Sequence, residues 1–218
     1  MHSLDVNLSA RPPAGVTASI DQAHVRVPSG GDATFTVGLT NVGQISGTGQ
    51  LTVVGMSSTN VTVTATEQLL YSDNLAWNPT ETPFPSAFAD SNQAANPPAL
   101  ANDGNSATFW VSGGVAVAGN GPTPTRPIAL NVDLGTSLHV GSVTVKPRTG
   151  YGPKSYEVQV STDGQSWTSV ASVVNGPNGP LTTSFAPTSA RYVRLLMTGA
   201  YDRTNRNVQV AELEVRPI

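Results

Sequence analysis

The sequence predicts an all-β protein in which a small Ig-like β-sandwich precedes a larger β-sandwich of the jelly-roll type. Two observations support this fold class. Short runs of β-branched residues alternate along the chain with clusters of Gly, Pro, Asn and Ser, and helical periodicity is almost missing. Turn signals also recur at intervals of about ten residues, which is typical of sandwiches.

Composition limits the classes of partner. The 218 residues fit one large or two small domains. Charged residues make up 11% and the net charge is −3, which argues against a nucleic-acid partner because phosphate binding needs a basic patch. No apolar run reaches the roughly 18 residues that span a bilayer, so no membrane partner is expected. Cysteine is absent, and disulfides therefore contribute nothing.

Residues 1–70 are predicted to form an Ig-like or fibronectin-like accessory module. Its candidate strands are residues 16–20, 24–27, 34–39, 50–54 and 60–64, and turn signals at 28–32 and 41–43 separate some of them. The stretch VPSGGDATFTVGLTNVG resembles the small Ig-like modules that accompany catalytic domains in bacterial polysaccharide-degrading enzymes. A module of this length can bury only a thin core.

Residues 71–218 are predicted to form the second domain. After a long, Pro-rich segment at 78–98, candidate strands return at 128–134, 140–146, 155–161, 166–174, 182–186, 191–197 and 208–216. The turn signals Asp133-Leu134-Gly135 and Ser161-Thr162-Asp163-Gly164 punctuate them. About eight antiparallel strands with long connections predict a jelly roll.

Two distant segments of this domain together could hold one calcium ion. The segment LANDGNSATFW, at 100–110, offers Asp103, Thr108 and several backbone carbonyls, and the segment VAELEV, at 210–215, offers Glu212 and the Ala211 carbonyl. Calcium binds six to eight oxygen ligands of these kinds. The alternative interpretation of the first segment is a tight turn, since Asn-Asp and Asp-Gly commonly form turns.

Six motifs occur in a fixed order: ANDGNSATFW, LNVDLG, VGSVTVKPR, SYEVQVSTDGQSWTSV, ARYVRLLMTG and VQVAELEV. Together they resemble the discoidin family, also called the coagulation factor 5/8 type C domain, whose bacterial branch includes the family 32 carbohydrate-binding modules. The resemblance covers residues 72–218 and implies a discoidin-type β-sandwich jelly roll with a structural Ca²⁺. The implied ligands are the carbonyls of Leu100, Asn105, Thr108 and Ala211, the Thr108 hydroxyl, and the carboxylates of Asp103 and Glu212.

The resemblance also implies a sugar site in the loops beside the calcium segment. The galactose-binding members use a His where this chain has Val111 and an Asn where it has Pro153, whereas Arg148 and Tyr201 match the pattern. Two of these four features are therefore missing. We expect a different glycan or a shifted pocket rather than the standard galactose site.

Sugar recognition pairs an aromatic ring on an apolar sugar face with planar polar groups on the hydroxyls, and arginine suits the second role. The candidate carbohydrate-binding residues are Arg148, Tyr151, Lys154, Tyr201, Asn205 and Trp77. Two of them have equally plausible structural roles. Trp77 could fold back onto the sandwich, and Arg148 could be a satisfied structural arginine.

No catalytic arrangement is recognisable. His2, His24 and His139 form no zinc-ligand pattern, and no pair of carboxylates remains free for glycoside hydrolysis. We therefore expect a monomeric, non-catalytic carbohydrate-binding region of a larger, secreted, extracellular bacterial glycoside hydrolase. It would target the parent catalytic domain in the same chain to a glycan or polysaccharide. The alternative is a structural spacer, or a protein- or surface-interaction module, without a sugar site.

Overall fold

Strands, turns and one short 3-10 helix account for the described part of the chain, which comprises residues 3–41, 47–79, 83–113, 121–201 and 207–217 in this computed structural model. Chain contacts divide it into two units, Met1–Asp73 and Asn74–Ile218. Among the described residues, no helix has the length and apolar character needed to cross a membrane. The all-β prediction is confirmed.

The first unit contains a four-stranded and a two-stranded antiparallel sheet. The strands of the larger sheet lie in the order β3-β1-β5-β6, and β2 pairs with β4. Their bounds are β1 Leu4–Arg11, β2 Val16–Ile20, β3 His24–Val27, β4 Val37–Asn41, β5 Gly47–Ser57 and β6 Thr62–Tyr71. Val16, Val25 and Leu51 are its buried apolar residues within the described part. The thin core agrees with the short length, while the Ig-like assignment and the boundary at residue 70 stay predictions.

The second unit is built on one larger set of paired strands. Its order is β11-β10-β12-β9-β13-β8, and β7 pairs with β9. The bounds are β7 Ser86–Ala89, β8 Trp110–Val111, β9 Ile128–Pro147, β10 Pro153–Ser161, β11 Thr168–Val173, β12 Leu181–Ala200 and β13 Gln209–Arg216, with the 3-10 helix at Pro98–Ala101.

Strands β9 and β12 each run for 20 residues and pair with each other along most of that length, while their other neighbours change halfway. The first half of β9 pairs with β7 and the second half with β13, and interruptions of the β9–β12 register separate the halves. Gly135 lies at the interruption in β9 with a φ of +83°, a conformation that glycine adopts without a steric penalty. The two halves form the two layers of the sandwich.

Alternating side chains of both layers fill the core of the second unit. Trp110, Leu130, Leu195, Met197 and Leu213 are its largest fully buried side chains. Strand β13 is buried along nearly its whole length, so the residues beside the candidate metal ligands in this strand are held by core packing.

Candidate functional site

A turn at residues 148–151 is fixed to the start of β13 by backbone hydrogen bonds. The Tyr151 amide donates to the Arg148 carbonyl at 3.0 Å. The Arg148 amide donates to the Gln209 carbonyl at 3.1 Å, and the Gln209 amide donates to the Tyr151 carbonyl at 2.9 Å. The turn therefore presents its side chains from a rigid strand edge.

The Arg148 side chain lies in contact with two aromatic rings. Its guanidinium carbon is 4.7 Å from the centre of the Phe109 ring and 5.2 Å from that of Tyr151. The Nη1 group donates to Oε1 of the buried Gln209 at 3.0 Å, and Nε2 of Gln209 donates to Asn207 Oδ1 at 3.2 Å. Arg148, Tyr151, Phe109 and Gln209 are called the Arg148 cluster below. Arg148 itself is exposed.

Tyr201 directly follows β12, and Lys154 lies in β10 beside it. The Tyr201 amide donates to the Gly152 carbonyl at 3.1 Å, and its hydroxyl donates to the Gly176 carbonyl. The Lys154 ammonium is 5.9 Å from the Tyr201 ring centre. These two hydrogen bonds hold Tyr201 in a half-buried position, and the Lys154 ammonium lies over its ring. Asn205 lies outside the described residues.

The candidate metal loop, residues 100–108, gathers oxygen atoms. The Thr108 hydroxyl lies 2.6 Å from Asp103 Oδ2 and 2.7 Å from the Asn105 carbonyl oxygen. One hydroxyl proton can serve only one of these two acceptors. The Asn105 amide donates to Asp103 Oδ1 at 2.9 Å, which holds the carboxylate in place beside the other oxygens.

Glu212 of β13 faces this loop, and one of its two carboxylate oxygens has no hydrogen-bond partner. Glu212 is 5% exposed, and its Oε1 atom is buried without a hydrogen bond. Burial, followed by the neighbouring Asp103 carboxylate, raises the pKa of Glu212 to about 7. The register of β13 against β9 shifts between Val210 and Glu212, so Ala211 sits in a bulge outside the regular ladder.

The oxygen atoms of the metal loop and β13 fit a calcium ion. Two adjacent carboxylates and an unpartnered buried oxygen are favourable once a cation lies between them. Among the described residues, no group of three or more His, Cys, Asp or Glu could hold a metal, so backbone carbonyls and the hydroxyl must complete the shell. Calcium accepts such mixed oxygen ligands.

Trp77 lies against the metal loop rather than in the Arg148 cluster. A Cβ atom added to Gly104, whose φ is +79°, would be 2.2 Å from Nε1 of Trp77. The neighbouring backbone is attached to the same loop, since the Asn78 amide donates to the Asn102 carbonyl and Asn102 Nδ2 donates to the Ala76 carbonyl, each at 2.7 Å. The indole ring therefore supports the loop, as the structural interpretation of Trp77 expects.

Comparison with known families matches residues 86–213 to the F5/8 type C domain. The chain belongs to this family. The match lies within the second unit and confirms the predicted discoidin-type sandwich. Comparison with curated proteins gives no significant match.

Solved structures similar to this F5/8 type C domain include carbohydrate-binding modules. Chitosan-binding module 1 of a chitosanase/glucanase from Paenibacillus sp. IK-5 is 30% identical, with a TM-score of 0.53 over 65% of this chain and 97% of that module. Module 2 of the same enzyme, in complex with chitotriose, is 27% identical, with a TM-score of 0.54 over 66% and 99%. A family 32 module from a family 31 glycoside hydrolase of Clostridium perfringens shares the fold at 20% identity and a TM-score of 0.51, over 60% and 88%.

Two departures from the galactose-binding pattern have a structural basis in this F5/8 type C domain. Val111 is 2% exposed and pairs with Gln209, and Pro153 is buried at the start of β10. Neither position presents a polar side chain to a ligand.

Sequence reasoning missed Phe109 and Gln209. The aromatic character of Phe109, which is only half-buried beside the fully buried Trp110, offered a signal for the first. For Gln209, no comparable signal existed.

Proposed function

We propose that the F5/8 type C domain of this chain is a non-catalytic carbohydrate-binding module whose sugar site is the Arg148 cluster. The observation that carries the proposal is the exposed Arg148 guanidinium, held between two aromatic rings and anchored to a buried glutamine. The similarity to chitosan-binding modules at 27–30% identity supports the same function class.

The chemistry of the cluster suits a pyranose ring. Phe109 and Tyr151 offer apolar ring surface for the C–H face of a sugar, and the remaining N–H groups of Arg148 can donate to hydroxyl oxygens. The Gln209 anchor restricts the guanidinium before ligand arrives, which lowers the entropy lost on binding. A single shallow site of this kind binds weakly.

Calcium has a structural role in this proposal. The carboxylates of Asp103 and Glu212, the Thr108 hydroxyl, and the carbonyls of Leu100, Asn105, Thr108 and Ala211 would hold the ion. When bound, it supplies positive charge between two carboxylates and attaches the metal loop to β13. It takes no part in a reaction.

The biological setting we propose is a secreted bacterial glycoside hydrolase. A weakly binding module that is tethered to a catalytic domain raises the local concentration of enzyme on its polymer. The module would act as a monomer, since one site is sufficient for this effect.

The sugar site is tested by a glycan array with calcium present, comparing wild type with Tyr151→Ala. Phe88→Ala is the matched control, because Phe88 is also an exposed ring, 45% accessible, but lies on β7. We expect binding to fall by about tenfold or more in Tyr151→Ala and to be unchanged in the control. Equal binding by all three proteins would show that the sugar site lies outside the Arg148 cluster. The absence of binding by wild type would favour a structural spacer or an interaction module.

The metal site is tested separately by calorimetric titration of the chelator-treated protein with Ca²⁺ and with Mg²⁺. We expect one Ca²⁺ site, weaker or absent Mg²⁺ binding, and loss of the Ca²⁺ signal in Glu212→Ala. If the wild-type protein binds no Ca²⁺, residues 100–108 form a turn and not a metal site.

A further inference from the structure

We propose that the Arg148 cluster is selective for acidic glycans, whose sugar units carry a carboxylate, and that Arg148 determines this selectivity while Lys154, outside the cluster, adds to the local positive charge. The inference rests on the carbohydrate-binding function proposed above and adds the chemical class of the ligand.

The positive charge of Arg148 has no acidic partner among the described residues. Its side-chain hydrogen bond goes to the neutral amide of Gln209. Two other arginines of the domain contact carboxylates instead: Arg191 makes a two-point contact with Asp133, at 2.8 and 2.9 Å, and Arg216 donates to Glu214. Arg194, like Arg148, donates to the neutral amide of a glutamine, Gln159. Among the described residues, neither Arg148 nor Lys154 forms an ion pair.

The two aromatic rings that contact Arg148 leave its positive charge available to a ligand. Phe109 and Tyr151 contact the guanidinium through their rings, which add no formal charge. Because Nη1 is already used by Gln209, an incoming ligand meets the remaining N–H groups of a fixed, planar cation. A carboxylate matches that planar donor arrangement better than a single hydroxyl does, and its hydrogen bonds are charge-assisted.

The carboxylates of the metal loop and of β13 are engaged with groups other than Arg148. Asp103 and Glu212 face each other in the metal cage, so an ion there would compensate them. The Lys146 ammonium forms a salt bridge with one carboxylate oxygen of Glu214. The loop at 148–154 thus places two cations, Arg148 and Lys154, on a chain whose net charge is −3. A local positive surface on an acidic protein attracts anions selectively.

The same charges oppose a cationic ligand. Chitosan consists of glucosamine units, whose amino groups are positive at mildly acidic pH. Placing such groups beside Arg148 and Lys154 brings like charges together, and this costs affinity. We therefore expect this module to differ in ligand class from the Paenibacillus chitosan-binding modules that it resembles in fold.

The experiment compares short oligomers of galacturonate, glucuronate, mannuronate and guluronate with their carboxyl-reduced forms, which differ only in having a neutral CH₂OH group. Short oligomers avoid gelation with the calcium in the buffer. Wild type, Arg148→Gln and Lys154→Gln are measured by calorimetric titration. Arg11→Gln is the matched control, because it removes the same charge from an exposed site in the first unit.

We expect at least one acidic oligomer to bind wild type on the order of tenfold more tightly than its reduced form. In Arg148→Gln this ratio should approach one, Lys154→Gln should lower it partly, and Arg11→Gln should leave it unchanged. Added salt should weaken binding of the acidic form only.

Other outcomes overturn the proposal at different levels. If reduced or chitosan oligomers bind wild type as tightly as the acidic ones, the module binds carbohydrate but is not selective for acidic glycans. If the Arg11→Gln control loses as much as Arg148→Gln, the preference comes from overall charge and not from this site. If no sugar binds, the carbohydrate-binding function itself fails.

Discussion

Replacing Gly104 with alanine is expected to destabilise the second unit more than the same change at Gly150. Both glycines have positive φ values, +79° and +92°. They differ in surroundings, because an added Cβ at position 104 would be 2.2 Å from Nε1 of Trp77, whereas no atom lies within 4 Å at position 150. The pair therefore separates backbone strain from steric conflict.

The expected magnitudes follow from these two terms. Holding alanine in the left-handed region costs about 1–2 kcal/mol, and this term applies to both variants. Displacing the Trp77 ring adds an overpacking cost of about 1–3 kcal/mol at position 104 alone. For a domain of this size, each kcal/mol corresponds to about 4 °C in Tm. The Tm of Gly104→Ala should therefore lie at least several degrees below that of Gly150→Ala.

Tryptophan fluorescence during urea unfolding provides the assay, because Trp77, Trp110 and Trp167 all lie in the second unit. A double-mutant cycle with Trp77→Ala isolates the steric term, which should disappear once the ring is removed. Equal destabilisation by Gly104→Ala and Gly150→Ala, or a steric term that persists without the ring, would refute the placement of Trp77 on the metal loop.

Three further predictions concern single groups. Glu212→Gln should lower Tm in the presence of Ca²⁺, because it removes a ligand. In chelator it should raise Tm or leave it unchanged, because it neutralises a like-charged neighbour of Asp103. Tm shifts of the same sign in both conditions would contradict the proposed calcium site. Burial acts to raise the pKa of Asp133, but hydrogen bonds from Arg191 and the Gly135 amide outweigh it and lower that pKa. The ion pair with Arg191 therefore stabilises the fold above the unfolded pKa of about 4, and this stabilisation is lost as pH falls further. Asp133→Asn should lower the free energy of unfolding in urea by about 1 kcal/mol at pH 7 and by little at pH 2. A loss that does not depend on pH would contradict the ion pair. Tyr201→Phe should cost about 1 kcal/mol in the same assay, because it leaves the Gly176 carbonyl without its donor, while sugar affinity stays within twofold; a large loss of affinity would place the hydroxyl in the sugar site.

Local sequence patterns located most strands of the second unit but not their continuity. The pattern indicated separate strands at 128–134 and 140–146, whereas β9 runs unbroken from Ile128 to Pro147. The signal Asp133-Leu134-Gly135 indicated a turn, and Gly135 does have positive φ, yet the residues around it bend one strand between two layers. Periodicity and turn residues describe a few residues at a time, so they cannot distinguish a bend from a hairpin.

Residues of the candidate site were recognisable from the sequence where their chemistry singles them out and not where packing brings them together. Arg148 and Tyr151 stood out as polar and aromatic residues in a Gly-rich loop, and the structure brings them together. Strand β7 lies in a segment that carried no strand pattern, because its pairing with β9 comes from the tertiary fold. Trp77 gave no sign of its partner, since the space above Gly104 exists only after the loop has folded.

Strand β13 has a consequence for how this domain reaches its native state. It lies between β9 and β8, buries Val210, Leu213 and Val215, and carries Ala211 and Glu212 of the candidate metal site. The amide of Val215 donates to the side chain of Asn74 across 141 positions of the chain. Contacts of such sequence separation form slowly, because a long loop must close first. During synthesis the sandwich cannot close until β13 has left the ribosome, so the apolar faces of the earlier strands stay uncovered until that point.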